Sequence, residues 1–392
     1  MAVPGAYLDH AATTPMRPEA RARMVEALAD DLGNPSGSHR SARLARRAID
    51  EARESLAEVL GCRPGEVVFT GGGTEADNLA VRGVYAARAG VVSCSAVEHH
   101  AVLDVVEALD GVVWPVGTDG RIDLDALASG LAGRGDSTPV TMVSVMLANN
   151  EIGVITDLGA VRRVLDQHAP DAVLHTDAVQ AFPWIDVSSA AAPAGLVSVS
   201  AHKFGGPQGV GALVVRDGVP LAAQSLGGGQ ERGRRSGTQN VAGIVAMAVA
   251  ARCTADERAD TVARVARLRD RLAGSITTRL VNAVETAVPL DSAGRPDRSG
   301  KIAGSCHLCI GGVENEALLF LLDQAGVAAS AASSCASGAL DPSHVLAAIG
   351  IERDLARGSL RLSLGTTTTE AEIDAAADAV VASVTRLRRH AA

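Results

Sequence analysis

Several features are missing from this 392-residue chain, and each absence removes a class of function. No run of about 18 apolar residues free of charge occurs, so no helical membrane span is expected. The opening stretch MAVPGAYLDHAATTP has no basic segment followed by an apolar core, and does not read as a signal peptide. Positive charge is not in excess. The formal net charge is -9 and the pI is near 5.6, so no electrostatic footprint for nucleic acid is expected. The locally basic RLRRH near the C-terminus suits the end of a helix, where cations meet the negative end of the dipole. Cysteine is sparse, six in all, with no zinc-ligand spacing and no secretory signal. Free thiols in a reducing, cytoplasmic compartment are therefore expected, and no metal ion. Lysine is scarcer still: Lys203 and Lys301 are the only two.

What is present is the balance of a soluble globular protein, 47% hydrophobic and 21% charged. The length predicts two or three domains with a large core. From about residue 66 to 215, strand-like runs (EVVFT, VVSCS, GVVWPV, VTMVSVML, AVLHT, LVSVS, GALVV) alternate with helical ones. That alternation predicts an α/β domain with a parallel or mixed sheet covered on both faces. Residues 240 to about 280 read as helical. A smaller α+β segment follows, with SCHLCI and SLRLSL as strands and a final helix from about 369. The expected division is a large domain over 13–255 and a small domain made of 1–12 and 256–392. LDSAGRPDRSG, 290–300, reads as a surface loop.

Four short motifs carry chemistry. In FTGGGTEADN a strand runs into Gly71, Gly72 and Gly73 before a helix, and backbone N–H groups at such a turn favour phosphate. It is neither a P-loop nor GxGxxG, which argues against a dinucleotide-binding dehydrogenase. In HTDAVQA, Asp177 ends an apolar strand and requires a positive partner, for which a protonated pyridine nitrogen would serve; Gln180 could bond a ring substituent. In VEHHAVLD, His99 opens a helix where an imidazole could stack on a flat cofactor. In LVSVSAHKFGG, Lys203 stands where a buried strand ends, and a lysine there needs a charge partner, a lowered pKa or a covalent partner. A cofactor with a phosphate, a basic ring nitrogen and an aldehyde would use all of these groups. Pyridoxal phosphate (PLP) is such a cofactor.

YLDHAATTP, TGGGTEADNLA, EHHAVLD, NNEIG, HTDAVQ, SAHKFGGPQGVG, GGGQERGRRSGT and GSLRLSLG, in that order, resemble the motifs of the PLP-dependent cysteine desulfurases. Those enzymes belong to the class V aminotransferase group of fold-type I. The resemblance spans about residues 7 to 375. It implies a homodimer and a fold-type I PLP enzyme, with a large mixed-sheet α/β domain and a smaller α+β domain. It implies Lys203 as the Schiff-base lysine, His99 as the stacking histidine, and Asp177 and Gln180 at the ring nitrogen and ring hydroxyl. Gly73, Thr74, Ser200 and His202 match the phosphate cup, and Thr238 a phosphate ligand given by the other subunit. Asn150 matches a residue near the ring hydroxyl and the substrate. Arg361 matches the arginine that grips the substrate carboxylate, a task suited to a bidentate fork.

Cys335 lies among Ala, Ser and Gly in ASAASSCASGALDPSHVL, a stretch expected to be mobile. The resemblance makes it the nucleophile that takes sulfur from L-cysteine as a persulfide and leaves L-alanine. Its loop reads ASSC where the family more often has GSAC. An iron–sulfur scaffold is the implied kind of acceptor, with Cys335 also able to ligate a transient cluster. A selenocysteine lyase, another class V aminotransferase and a non-enzymatic sulfur-carrier scaffold are the competing readings. Cys306 and Cys309, in CHLC, imitate a redox pair, but on a strand they point to opposite faces and are expected in the core. Cys62, Cys94 and Cys253 are expected to be structural.

Overall fold

The computed structural model describes residues 5–29, 33–134, 138–331 and 343–391. In chain order the strands are β1 (Ala6–Tyr7), β2 (Val67–Thr70), β3 (Val91–Ser95), β4 (Val112–Trp114), β5 (Val140–Ser144), β6 (Val173–Asp177), β7 (Leu196–Ser200), β8 (Gly211–Val215), β9 (Ala283–Glu285), β10 (Ser305–Ile310), β11 (Val327–Ala328) and β12 (Ser359–Ser363). A seven-stranded sheet has the order β2-β8-β7-β6-β5-β3-β4. Strands β3 to β7 run parallel, and β8 pairs antiparallel with both β7 and β2. The expected mixed sheet is observed.

Strands β5 to β8 are buried along their whole length, as their near-continuous Val and Leu content requires. Helices Gly73–Ala87 and His100–Ala108 cover one face, packing Leu79, Val84 and Val102 on Val68, Leu196 and Leu213. On the other face, Val161, Leu165 and Ile244 join a larger cluster that contains Phe69, Val143 and Val197. Burying each such aliphatic side chain contributes about 1.5–3 kcal/mol.

Beyond the large sheet, β12, β10 and β9 form an antiparallel sheet, and β1 pairs in parallel with β11. The N-terminal strand therefore lies on the C-terminal part of the chain. The helix expected over 240–280 is one unbroken element, Val241–Arg279, which passes through residue 255. Helix Arg40–Val59 was not legible, because half of its buried residues are alanine: Ala42, Ala45, Ala52 and Ala57. The 290–300 loop is largely exposed. Cys306 and Cys309 are buried in different clusters, as alternation along β10 predicts.

Candidate active site

The parallel strands end at one edge of the sheet, the usual ligand edge of an open α/β sheet. Strand β6 ends at Asp177, which is 5% exposed. Strand β7 ends at Ser200 and turns into a single 3-10 turn, Ala201–Lys203. Strand β2 ends at Thr70 and enters the glycine turn, and the helix expected after Gly73 begins at Gly73 itself and runs to Ala87.

Ala12, Thr13, Gly72, Thr74, Ser200 and His202 line an open groove at this edge. The helix N-cap there is Gly72, which offers no side chain to the first-turn amides. Those donors are left for a ligand. Gly72 has φ 150°, and a Cβ on Gly73 would stand 2.9 Å from Val179 Cγ2. Larger residues would therefore fill the cradle or strain it. One carboxylate also lies here. Glu75 accepts from the Gly71 N–H at 2.6 Å and is neutralised by Arg235 at 2.6 Å.

Asp177 Oδ1 accepts from the Val179 N–H at 2.8 Å. Burial pushes its pKa up to about 6, against the pull of that hydrogen bond and of Lys203. Lys203 is half-buried and donates to the carbonyls of Ala11 at 2.5 Å and Ala12 at 2.9 Å. His99 caps helix His100–Ala108, its Nδ1 accepting from the Ala101 N–H at 3.0 Å. Its one proton is therefore on Nε2. Burial, then Lys203, lowers its pKa to about 4, so the ring is neutral at pH 7. His202 Nδ1 lies 3.2 Å from Thr13 Oγ1 and is likewise lowered to about 4, chiefly by burial.

Arg361 lies on β12, 5% exposed. Its Nη1 donates to the Asn150 carbonyl at 3.2 Å and its Nη2 to Asp9 at 3.1 Å, while its buried Nε has no partner. Asn150 thus reaches the site through its backbone. Sequence reasoning missed Asp9, although it stands inside YLDHAATTP. It also missed three buried groups behind the site: Asp77, Glu98 and His175. His175 stands two residues before Asp177, and that spacing on a strand places both on one face.

These residues fit the expected cofactor. Gln180 is 8% exposed and its Oε1 has no hydrogen-bond partner, an orphan that a ring hydroxyl would satisfy. The uncapped helix end suits a phosphate, and the buried Asp177 suits a protonated ring nitrogen. Two expected site residues are not brought together with the others. Thr238 is exposed and does not line the groove. Cys335 lies outside the described residues.

Among known proteins, the description "Aminotransferase class-V" fits residues 6–376. An IscS-like cysteine desulfurase of Mycobacterium tuberculosis is 45% identical over 398 residues, covering 98% of each chain. A cysteine desulfurase IscS of Dictyoglomus turgidum is 38% identical, covering 97% of this chain and 95% of its own. A solved NifS-like protein superposes with a TM-score of 0.87 at 30% identity, covering 97% of this chain and all of its own. Fold, motifs and these matches agree: the chain belongs to the aminotransferase class-V family, among its cysteine desulfurases.

Proposed function

We infer that the chain converts L-cysteine to L-alanine and passes the sulfur onward as a persulfide on Cys335. The observation that carries this reading is the convergence at one sheet edge of Lys203, buried Asp177, the orphaned Gln180 Oε1 and an uncapped helix end. Lys203, Asp177, Gln180, Ser200, His202 and the Gly73–Thr74 amides would hold pyridoxal phosphate. When bound, it supplies an electron sink that acidifies the substrate Cα–H. Arg361 binds the substrate carboxylate with its fork. Lys203 takes the Cα proton once its amine is free, and neutral His99 offers the Nε2 proton at the departing sulfur. The Cys335 thiolate attacks the substrate sulfur; as the C–S bond breaks, its electron pair passes to the substrate Cβ, which takes up a proton to become the methyl group of L-alanine, and Cys335 keeps the sulfur as a persulfide.

The rest of the reading belongs to the same proposal. The protein works as a homodimer in which Thr238, exposed in one chain, serves the partner's groove. The domain division is 13–255 against 1–12 with 256–392. The acceptor is a protein such as an iron–sulfur scaffold, and the compartment is the cytoplasm. No helix among the described residues is long and apolar enough to cross a membrane.

The test is direct. Borohydride reduction of the yellow protein should leave a pyridoxyl group on Lys203; a group on Lys301 would refute the assignment. Cys335→Ser should still bind PLP and L-cysteine but release no sulfide. Without reductant, the wild-type Cys335 peptide should gain the mass of one sulfur. A fully active Cys335→Ser protein, with the persulfide on Cys306 or Cys309, would refute the proposed nucleophile. For the dimer, co-expressed Lys203→Ala and Thr238→Ala chains should form hybrids more active than either parent dimer; hybrids no better than the parents would place Thr238 outside the partner's site.

A further inference from the structure

The glycine turn that opens helix Gly73–Ala87 has no side-chain N-cap, yet a hook holds it. Glu75, the third residue of the helix, reaches back, and its Oε2 accepts from the Gly71 N–H at 2.6 Å. That helix position is the one from which a glutamate closes a capping box. The hook has a plain physical use. Glycines lose more conformational entropy on ordering than other residues, and an acceptor that ties Gly71 to the helix restrains the whole turn. The first-turn amides that follow are left for a ligand.

The same hook has an electrostatic cost. Glu75 lines the groove together with Thr74, Ser200 and His202, the groups suited to a phosphate. A carboxylate there repels a phosphate and cancels part of the positive helix end that should attract it. His202 brings no charge to offset it, because burial lowers its pKa to about 4 and leaves the ring neutral at pH 7.

Arg235 supplies the missing cation. Its Nε donates to Glu75 Oε1 at 2.6 Å and its Nη2 to Oε2 at 3.2 Å, a two-point fork from 160 residues along the chain. The three arginines of ERGRRSGT take separate courses. Arg232 lines another groove, with Arg53 and Asp50. Arg234 donates to the Gly65 carbonyl at 3.4 Å. Arg235 reaches the glycine turn, where a Cβ on Gly71 would stand 3.9 Å from its Nη2. The side chains of the pair are 25% and 35% exposed, and a pair so open to water adds little to stability. Its effect is to be sought in the groove beside it.

We propose that Arg235 is a specificity-determining positioning residue: by cancelling the charge of Glu75, it lets the helix keep its carboxylate hook and still take a doubly charged phosphate monoester. The two members divide the work. Glu75 is needed as a hydrogen-bond acceptor, which an amide can replace. Arg235 is needed as a cation only while Glu75 is an anion. Neither has to touch the phosphate. The inference deepens the PLP reading above and rests on it for the identity of the ligand.

Titration of the full-length apoprotein with PLP and with pyridoxal tests this through the visible band of the bound cofactor, without reference to turnover. Arg235→Gln should raise the Kd for PLP about tenfold, because it leaves Glu75 uncompensated beside the phosphate. Glu75→Gln should bind PLP at least as well as the wild type. The double variant should return to within about threefold of the wild type, the non-additivity expected of a coupled pair. Pyridoxal, which lacks the phosphate, should bind the wild type and all three variants alike. An unchanged Kd for PLP in Arg235→Gln would overturn the proposal. So would a double variant as weak as Arg235→Gln, which would make Arg235 itself a phosphate ligand. A weakened Glu75→Gln would show that the hook needs its charge, and pyridoxal weakened along with PLP would show a merely structural pair; either overturns it too. Inorganic phosphate, followed by isothermal titration, is the second probe and should give the same order of variants. It separates the two readings. Absence of any visible band with PLP would refute PLP binding, and the order found with phosphate would then decide the pair. A normal band with that order lost would refute the pair alone.

Discussion

Arg361 holds its side chain between two acceptors before any substrate arrives: the Asn150 carbonyl and the Asp9 carboxylate. On the function proposed above, a substrate carboxylate would gain a guanidinium that is already aimed, with little side-chain freedom lost on binding. Arg361→Lys keeps the charge but loses the fork. Charge-assisted hydrogen bonds are worth about 1.5–3 kcal/mol each, so kcat/KM for L-cysteine should fall roughly 10- to 100-fold. Most of that change should appear in KM in steady-state assays. A fall carried by kcat alone would place Arg361 away from the carboxylate. Arg361 was legible from its motif, and so were Lys203, Asp177 and His99. Asp9 and Asp77 were not. A carboxylate in a sequence does not announce whether its partner stands hundreds of residues away, as Arg361 does for Asp9, or whether burial raises its pKa, as at Asp77.

The segment Gly227–Asn240, which carries Thr238, has little regular structure beyond one 3-10 turn, Glu231–Gly233. It is anchored by one buried ion pair. Arg53 of helix Arg40–Val59 donates to Glu231 at 2.7 and 2.9 Å and to the Val67 carbonyl at 2.8 Å. Glu231 also accepts from the Phe69 N–H at 3.0 Å and from Gln239. Glu231 and Arg232 have φ of 50° and 59°, a region that costs non-glycine residues energy. The pair holds that backbone in place. Arg53→Ala should destabilise the protein by about 3–5 kcal/mol, because it leaves Glu231 buried without its cation. The urea midpoint measures this; a change under about 1 kcal/mol would mean that water reaches Glu231. Neither Arg53 nor Glu231 could be singled out in the sequence, where each is one charged residue among many. The strands of the large sheet were legible because continuous Val and Leu runs are self-evident. The alanine-striped helix was not, since alanine is as common on surfaces as in cores.

For the molecule as a whole, buried ionisable groups set how stability follows pH. His10, His99, His175, His202 and His307 have pKa values pressed down to between about 3 and 4 by burial. Unfolded, they bind protons below about 6.5, so they weaken the fold as pH drops from there. Glu98 and Glu151 are raised by burial to about 8 and about 7. Folded, they keep protons that the unfolded chain gives up above its own pKa of about 4.5, so they weaken the fold as pH rises toward those values. Above about pH 7 the unfolded histidines are mostly neutral and their effect fades, while Lys301, lowered by burial to about 8, begins to offset the carboxyl effect. Between pH 6.5 and 8, Glu98→Gln should therefore gain stability relative to the wild type by up to about 2 kcal/mol, read as a difference in melting temperature that grows with pH. A slope unchanged in Glu98→Gln would show that Glu98 is ionised throughout. The long helix Val241–Arg279 bears on a different property. At 1.5 Å per residue it is a rod of about 58 Å, with no proline to weaken it. A seam drawn at residue 255 is therefore no hinge: bending there would break several consecutive backbone hydrogen bonds. The two halves of the chain share a keel, and a ligand entering the groove at the sheet edge meets a hull that does not flex along that line.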